Sequence, residues 1–566
     1  MKTYPQKGMS NGIGIFKGFL DSHLFCIRGI PSGDLELLPV LDSLDSSVPI
    51  TDNHSNPLDH SRLLDVHHWS EHPEVNVFVN EIYEAHFKGG NLRIRKKHLK
   101  VILLDLYVTW SDDPELKTVL PRDVNAYKAK SRYNELHISK LTPEIIDILI
   151  EAGLIEQAMG FIDHVSGIGR VSRIWPTGAL IEKFEDAKFT PFDIIDPPNR
   201  ETIILRDRDG EEIEYDDTDE TRRMRKLVET YNDLISRTYI DIPTLETNHI
   251  DLGVDKKRKR KILYINQRDK FTRRIFNRGS FNKGGRFYGG WWQRCPKEWR
   301  HQIFMNNHAV SEIDYSGLHI VILYANRGID YWREVRTDPY DIPHPKFINN
   351  PESLRDVCKQ LLLVGLNAKD DKATFSAFRD QAEKDSVEKR YTNKQLGQIL
   401  DTLRERHEPI ANMIANDAGI DLMNQDSRIA EIIIRHFTDK RIPILCVHDS
   451  FVVPFGYENE LEKQMEGAFE AVTGIPGVKL KEETTNPLYL FPLDTGFNQD
   501  RSHKNMLTEL DARTSPKKSG RYQCHLDQFR SWQRTNDSRP VPTKPWLQNL
   551  KQLVAMNLRE WLPIDD

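Results

Sequence analysis

Two apolar stretches, far apart in the sequence, each carry an aspartate where a β-strand would normally be apolar. Residues 309–314 alternate like a strand and lead into apolar residues with helical spacing, so Asp314 is predicted to lie at the end of the strand. Residues 444–447 and 451–453 are apolar arms bounded by prolines, which predicts a short hairpin with Asp449 at its bend. Because burial of an unpaired carboxylate is strongly unfavourable, both aspartates need a partner, and a divalent cation is the natural one.

A third stretch, residues 354–367, supplies the opposite charge on a predicted helix. Arg355, Lys359 and Asn367 are spaced by multiples of four and share one side of it, and apolar residues occupy another side. Arg binds phosphate through its planar fork and Lys acts as a point charge or proton donor, so this side suits a triphosphate. Taken singly, an acid at a strand end or a cationic pair on a helix is more often a solvated surface feature. Taken together, the three stretches predict that the two aspartates hold two Mg²⁺ ions, or Mn²⁺ in their place. The two ions would lie roughly 4 Å apart.

The three stretches also carry short motifs in a definite order. They read Asp314-Tyr315-Ser316-Gly317-Leu318-His319, then Arg355-x3-Lys359-x7-Asn367, then Val447-His448-Asp449-Ser450. This series resembles motifs A, B and C of the family A DNA polymerases and the single-subunit, phage-type RNA polymerases, in order and in the spacing within motif B. Upstream, Gly285-Arg286 and Gln293 look like the segment of that family that touches the minor groove of the primer-template. The resemblance covers residues from about 280 to 460 and implies an α+β, right-hand polymerase core with palm, fingers and thumb.

The resemblance implies a role for each matching residue. Asp314 and Asp449 match the catalytic, metal-binding aspartates, and Lys359 matches the general acid. The substrate-binding positions are Arg355, Lys359, Asn367, His319 and Tyr315. The nucleic-acid-binding positions are Arg286, Gln293 and His448, the last beside the primer terminus. The implied reaction is extension of a primer on a DNA template, with nucleoside triphosphates as substrates and two magnesium ions as cofactors.

Some positions depart from the family pattern and bear on sugar selection. His319 stands where the family's DNA enzymes have Glu as a gate against the ribose 2′-hydroxyl, and Asn367 stands where both branches usually have Tyr. The bulk of His319 favours deoxynucleotides and predicts a DNA-directed DNA polymerase, whereas Ser450 resembles the RNA polymerases. A single-subunit RNA polymerase or primase is the nearest alternative. A catalytically inactive replication initiator or DNA-binding protein, and an untemplated tailing enzyme, are the others. The N-terminal region shows no acidic signature of a proofreading exonuclease.

Residues 76–190 are predicted to form a winged-helix-like, DNA-binding domain. Apolar residues between positions 99 and 110 follow helical spacing, which predicts a helix with one apolar face. A second, apolar helix follows over 145–150, with an N-cap and first-turn pair at Thr142 and Pro143 before it and a stop at Gly153 after it. Two strands come next, over 154–162 and 171–175, joined by a turn with Arg170 at its tip. A helix followed by a two-stranded wing is the arrangement that lays a recognition helix on duplex DNA, so Arg170 is predicted to contact nucleic acid. The alternative is a protein-interaction module of the same fold.

Residues 256–300 are strongly basic, although the whole chain has a net charge of −6. This segment holds sixteen Lys or Arg residues against two acids, 16 − 2 = +14, with aromatic residues interleaved. Such a charge is an electrostatic footprint for phosphate backbones, so Lys256 and Arg258 are predicted to contact nucleic acid. For residues 256–261 alone, a solvated loop or a targeting patch is an equal alternative.

The remaining regions complete a predicted domain order. Residues 1–75 are a loosely structured segment with surface histidines, 191–278 a helical, basic, thumb-like region that contains a charged helix over 221–237, and 279–500 the palm and fingers. Residues 501–566 are a tail that ends in a helix over 547–558 and offers a docking site for a protein partner. No apolar stretch is long enough to span a membrane, and the N-terminus lacks signal-peptide features, which predicts a cytoplasmic protein. Five scattered cysteines without CxxC spacing indicate neither a disulfide framework nor a zinc site.

Overall fold

The computed structural model divides the chain into two compact units. It describes residues 57–89, 91–123, 130–162, 169–197, 199–254, 260–345, 347, 351–382, 386–482 and 518–536. The N-terminal unit comprises residues 1–218 with 278–280, and the C-terminal unit comprises 219–277 with 281–566. Both units mix helices and strands, which confirms the predicted α+β class. Within the described ranges, no helix has the length and apolar character needed to cross a membrane.

The N-terminal unit packs four helices with a small sheet. Its helices are α1 (Pro73–His86), α2 (Leu92–Asp112), α3 (Thr142–Glu151) and α4 (Gly178–Glu185). Its strands are β1 (Ser61–Leu63), β2 (Lys117–Leu120), β3 (Ile155–Ala158), β4 (Phe161–Ile162), β5 (Gly169–Arg170), β6 (Ser172–Pro176) and β7 (Ile203–Leu205). The sheet order is β1-β2-β6-β3, with β1 parallel to β2 and the other pairs antiparallel.

Several local predictions for this unit hold, and others need correction. Helix α3 is followed by Gly153 with φ +70°, then by the antiparallel strands β3 and β6, as the spacing predicted. Thr142 is the first helical residue rather than the N-cap, and its hydroxyl donates to the Ser139 carbonyl at 2.9 Å. Helix α2 is buried on every side from residue 98 to 109, not on one face only. The winged-helix assignment of this unit and its binding of DNA stay predictions.

The histidines predicted to lie on the surface are partly buried instead. His67 and His68 are 7% and 5% exposed. His67 Nδ1 lies 2.7 Å from Glu135, and His68 Nδ1 lies 3.1 Å from the buried Asp105. These acids come from distant parts of the sequence, so the local pattern around the histidines did not reveal them. Residues 1–56 of the predicted loose segment lie outside the described residues.

The C-terminal unit is built around a long antiparallel sheet. Its strands are β8 (Ile240–Asp241), β9 (His249–Val254), β10 (Arg260–Tyr264), β11 (Thr272–Asn277), β12 (Ser280–Gly289), β13 (Phe304–Met305), β14 (His308–Tyr315), β15 (Leu445–Val447), β16 (Ser450–Pro454) and β17 (Leu480–Glu482). Its helices are α5 (Asp219–Ser236), α6 (Lys297–Arg300), α7 (Leu318–Ala325), α8 (Tyr331–Glu334), α9 (Pro351–Asn367), α10 (Asp371–Gln381), α11 (Asn393–Arg406), α12 (Gly419–Asp439), α13 (Glu458–Thr473) and α14 (Gly520–Asn536). The sheet order is β15-β16-β14-β13-β8, and β17 pairs with β14.

The region predicted as helical and thumb-like, residues 191–278, has one long helix in its middle, with strand β7 before it and strands β8 to β11 after it. The charged helix predicted over 221–237 is α5, but the basic segment after it forms the strands β10, β11 and β12. Its aromatic residues are largely core: Trp291, Trp292, Phe276 and Phe287 are at most 1% exposed. Burial of these rings explains why a basic segment is rich in aromatics, because the strands use them to pack.

The described part of the C-terminal tail packs within its own unit. Helix α14 is held to β8 by Arg521, which pairs with Asp241 at 2.7 Å, and by the buried Tyr522, whose ring packs against Tyr239. The helix predicted over 547–558 lies outside the described residues, so a partner at that helix stays a prediction.

Candidate active site

The two predicted catalytic aspartates lie on neighbouring strands at the same end of the sheet. Asp314 in β14 pairs with Ser450 in β16. Ser450 also pairs with Val447 of β15, so His448 and Asp449 form the two-residue turn of the β15–β16 hairpin. The backbone N–H of Tyr315 donates to the Asp449 carbonyl at 3.4 Å. The predicted strand and the predicted hairpin are therefore observed, and the backbones of Asp314 and Asp449 lie on neighbouring strands.

The turn that carries Asp449 has an unusual backbone. His448 adopts φ +57°, a left-handed conformation that costs a non-glycine residue about 1–2 kcal/mol. Its ring meets Tyr288 edge to face at a centroid distance of 6.4 Å, and its Nδ1 has no hydrogen-bond partner among the described residues. Burial, reinforced by the nearby charge of Arg286, lowers the pKa of His448, so the imidazole is neutral at pH 7.

Tyr340 marks the place where the aspartates and helix α9 meet. It is 5% exposed, and a Cβ atom on Gly317 would lie 3.8 Å from its hydroxyl, which puts that hydroxyl beside the turn after Asp314. Burial raises the pKa of Tyr340, and the negative charges of Asp449 and, less strongly, Asp314 add to this. The positive charge of Arg355 acts in the opposite direction. Both acids and one cation of α9 therefore act on a single phenol.

Helix α9 presents the face that the spacing predicted. Arg355, Lys359 and Asn367 are exposed, and the apolar residues Leu354, Val357, Leu361 and Val364 are buried. The Arg355 Nε bonds Asp338 at 2.8 Å, and its guanidinium carbon lies 5.4 Å from the centroid of the Tyr340 ring. Asn367 donates to the Leu363 carbonyl at 2.9 Å. Lys359 has no hydrogen-bond or ion-pair partner among the described residues.

His319 and Arg286 belong to a buried cluster with Asp426 of α12. The Arg286 Nε lies 2.8 Å from Asp426 Oδ2, and His319 Nε2 lies 2.9 Å from both the same oxygen and Arg286 Nη2. Burial alone would raise the pKa of Asp426, but Arg286 and His319 reverse this and hold it below its ordinary value. Arg286 is only 6% exposed, and its guanidinium makes an internal ion pair, while its contact with nucleic acid stays a prediction.

Sequence reasoning missed Asp426, although a signal was present. Leu422, Ile429 and Ile433 share the buried side of α12 at helical spacing, and Asp426 stands among them. A carboxylate on an apolar helix face needs a buried cation. The partner, Arg286, is separated from it by 140 positions and could not be named from the sequence.

Gln293 and Tyr315 make hydrogen bonds within the fold, and their predicted binding roles stay predictions. The Gln293 amide donates to the carbonyls of Phe287 and Cys446, both at 3.0 Å, and accepts from Gly289 N–H at 3.0 Å. It ties the end of β12 to β15 and has little left for nucleic acid. The Tyr315 side chain is 2% exposed and donates to the Met465 carbonyl at 2.5 Å, so its phenol packs inside the fold.

Much of the positive charge in the basic segment is compensated within the fold. Arg274 pairs with Glu431 of α12 at 2.5 Å, and Arg300 pairs with Glu312 at 2.8 Å. Lys283 pairs with Asp421, also on α12. The sum of +14 counted only local acids and therefore overstates the charge available to phosphates. Lys256 and Arg258 lie outside the described residues.

Arg170 lies in the N-terminal unit, on the short ribbon of β4 and β5. It stands opposite Phe161 in the β4–β5 pair, and its guanidinium is 3.4 Å from Asp59. Its side chain is 26% exposed. A contact with nucleic acid here stays a prediction.

Comparison with known proteins adds little to this geometry. No protein-family model and no curated protein matches the chain. Among solved structures, the POL domain of Pol1 from M. smegmatis, in complex with DNA primer-template and dNTP, is similar over 46% of this chain, with 14% identity and a TM-score of 0.26. The match spans about half of that chain, 51%. At this TM-score the similarity carries no functional argument. The argument for function depends on the residues of this chain.

Proposed function

We propose that this chain is a template-directed nucleotidyltransferase that extends a DNA primer with deoxynucleoside triphosphates. The observation that carries the proposal is that Asp314 and the turn with Asp449 lie on paired strands, and that Tyr340, beside the turn after Asp314, lies 5.4 Å from the guanidinium of Arg355. Two carboxylates beside one exposed cationic helix face are the groups that phosphoryl transfer needs, because the reaction depends on positioning and charge stabilisation.

The two aspartates fit divalent cations. Both are partly exposed, and the Asp449 carboxylate has no hydrogen bond or ion pair among the described residues. Within the described ranges, no cluster of three or more His, Cys, Asp or Glu forms a separate metal site. A carboxylate pair that leaves positions for water and phosphate oxygens suits Mg²⁺, and Mn²⁺ prefers similar ligands. When bound, such ions supply an activated 3′-hydroxyl and neutralise charge on the leaving pyrophosphate.

The chain's own cations act on the triphosphate. Arg355, already oriented by Asp338, binds phosphate oxygens through its fork. Lys359 lies one turn further along the same exposed face and gives a proton to the leaving pyrophosphate. The neutral imidazole of His448, at the turn beside Asp449, contacts the primer terminus.

Sugar selection is assigned to His319. This residue lies in the first turn of α7 and follows Asp314 closely in the sequence, across the turn that joins β14 to α7. Its ring is fixed by Arg286 and Asp426, so it cannot swing aside to admit a 2′-hydroxyl. This rigidity supports dNTPs over NTPs.

Primer extension on a DNA template with Mg²⁺ tests the proposal. Asp314→Asn and Asp449→Asn should each lower the rate by at least about 10³-fold, because each removes a charge that acts in the transition state. Asp439→Asn, at the exposed end of α12, is the matched control and should leave the rate unchanged.

The same assay separates the alternatives. Retention of activity in both aspartate variants would contradict the proposal. A strong preference for NTPs would indicate an RNA polymerase or primase, and extension of single strands without a template would indicate a tailing enzyme. Absence of synthesis by the wild-type chain, with DNA binding retained, would favour an inactive initiator.

A further inference from the structure

A buried ion pair lies directly beneath the two aspartates. Glu312 precedes Asp314 by two positions on β14, so both side chains point to the same face of the sheet. Glu312 is 2% exposed, and Arg300 reaches it with two nitrogens, at 2.8 and 3.1 Å. The motifs in the sequence did not single out either residue.

Ser450 connects this ion pair to the turn that carries Asp449. The Ser450 hydroxyl lies 2.7 Å from Glu312 Oε1 and 3.2 Å from the Val447 carbonyl. A hydroxyl has one proton, and the shorter contact, to the charged oxygen, is the stronger bond. The bond therefore links the first residue of β16 to β14.

The turn that carries Asp449 lies beyond the last paired residues of β14 and β16, Asp314 and Ser450. The Tyr315 N–H reaches the Asp449 carbonyl at 3.4 Å, which is long for a hydrogen bond. The left-handed conformation of His448 also strains the turn. The Ser450–Glu312 bond therefore adds a short side-chain link between β14 and β16 next to the turn.

We propose that Glu312 and Ser450 are positioning residues that fix the Asp449 turn against Asp314. Arg300 neutralises Glu312, so Glu312 adds no net negative charge near the two aspartates. The inference rests on the proposed function insofar as it names the purpose of this positioning. It predicts that loss of the serine hydroxyl displaces Asp449 and slows chemistry without weakening nucleotide binding.

Ser450→Ala tests the inference directly, because it removes the hydroxyl and leaves the Arg300–Glu312 pair intact. We expect kcat for primer extension to fall by about 10-fold or more, since small displacements of reacting groups are costly, and KM for dNTP to stay within about 2-fold. Mn²⁺ binding, followed by electron paramagnetic resonance, should weaken by about 5-fold because the ligand pair is displaced.

Ser311→Ala is the matched control. Ser311 is the neighbouring buried serine of β14, and its hydroxyl bonds Glu458, away from the turn. It should change neither kcat nor Mn²⁺ binding. The double variant Arg300→Gln with Glu312→Gln removes both charges but keeps an oxygen acceptor for Ser450, so its kcat should stay within about 3-fold of wild type.

The outcomes separate failure of this inference from failure of the proposed function. Wild-type kcat and Mn²⁺ binding in Ser450→Ala, or an equal loss in Ser311→Ala, would overturn the positioning role. If the wild-type chain extends no primer, the proposed function fails, but Mn²⁺ binding still tests the positioning role. Melting temperatures of all variants identify any that misfold, and for these the double variant provides the test.

Discussion

Asp105 in the N-terminal unit and Asp449 in the C-terminal unit show two opposite uses of an aspartate. Asp105 is fully buried and accepts from Arg62 at 2.8 Å, Asp65 N–H at 2.9 Å and Thr118 at 3.1 Å, and His68 lies at 3.1 Å. Asp449 is partly exposed at a turn, and its carboxylate makes no hydrogen bond or ion pair among the described residues.

The difference separates acids that hold the fold from acids that are available for chemistry. A carboxylate whose bonds are all made inside the protein contributes stability and has no capacity left for a ligand. A carboxylate without internal bonds gives little stability but can take a cation. Asp426 belongs to the first kind, since Arg286 and His319 occupy it.

Stability measurements on matched variants provide the largest test of this comparison. Asp105→Asn leaves Arg62 buried without its acid and should lower the free energy of unfolding by about 3 kcal/mol. Asp449→Asn should change it by less than about 0.5 kcal/mol, because no internal bond is lost. Urea denaturation measures both, with hydrogen exchange of α2 as the readout for the N-terminal unit.

Equal losses in the two variants would contradict the distinction. A loss confined to Asp449→Asn would mean that its turn, rather than the Asp105 cluster, is a major source of stability. Asp439→Asn again provides the baseline for a change of charge at an exposed site.

The sequence predicted those parts of the site whose signal is local. Asp314 and Asp449 interrupt apolar strands, and the spacing of Arg355 and Lys359 defines one side of a helix, so a short window is enough to recognise each. The roles of Arg286 and Gln293 could not be predicted in this way. Their internal partners, Asp426 and the Cys446 carbonyl, lie 140 and 153 positions away.

Distant partners also explain why the sequence overstated the charge of the basic segment. Its strands β11 and β12 meet α12, and acids of that helix neutralise Arg274, Arg286 and Lys283. A count of charges along the sequence sees the cations together but not these acids. Fold class was easier to predict because alternation and helical spacing are properties of single elements.

Arg355 extends the comparison from acids to cations, with a smaller expected effect. Arg355→Lys should raise KM for dNTP by about 10-fold, because an ammonium cannot reproduce the two-pronged grip of guanidinium on phosphate. Stability should change little, since its ion pair with Asp338 is exposed. Steady-state kinetics and thermal melting measure the two quantities.

Arg435→Lys is the matched control for this change. Arg435 has a similar exposure, 48% against 52%, and its contact with Glu431 at 2.8 Å matches that of Arg355 with Asp338. It should leave KM unchanged. A rise in KM in both variants would mean that general surface charge, not the α9 face, attracts the nucleotide.

The pH dependence of stability gives the smallest and most specific test. Burial alone would raise the pKa of Asp105 and of Asp65. Arg62 and His68 instead hold the pKa of Asp105 below its ordinary value. His68 and Arg200 do the same for the pKa of Asp65. A depressed folded-state pKa means that the unfolded chain takes up protons first, so this stability is present above about pH 4 and is lost as pH falls further. Hydrogen exchange of α2 should therefore accelerate on acidification.

In Asp105→Asn the exchange rate of α2 should depend less steeply on pH, because one titrating group is gone. An unchanged pH dependence would show that the Asp105 cluster does not set the acid sensitivity of this unit.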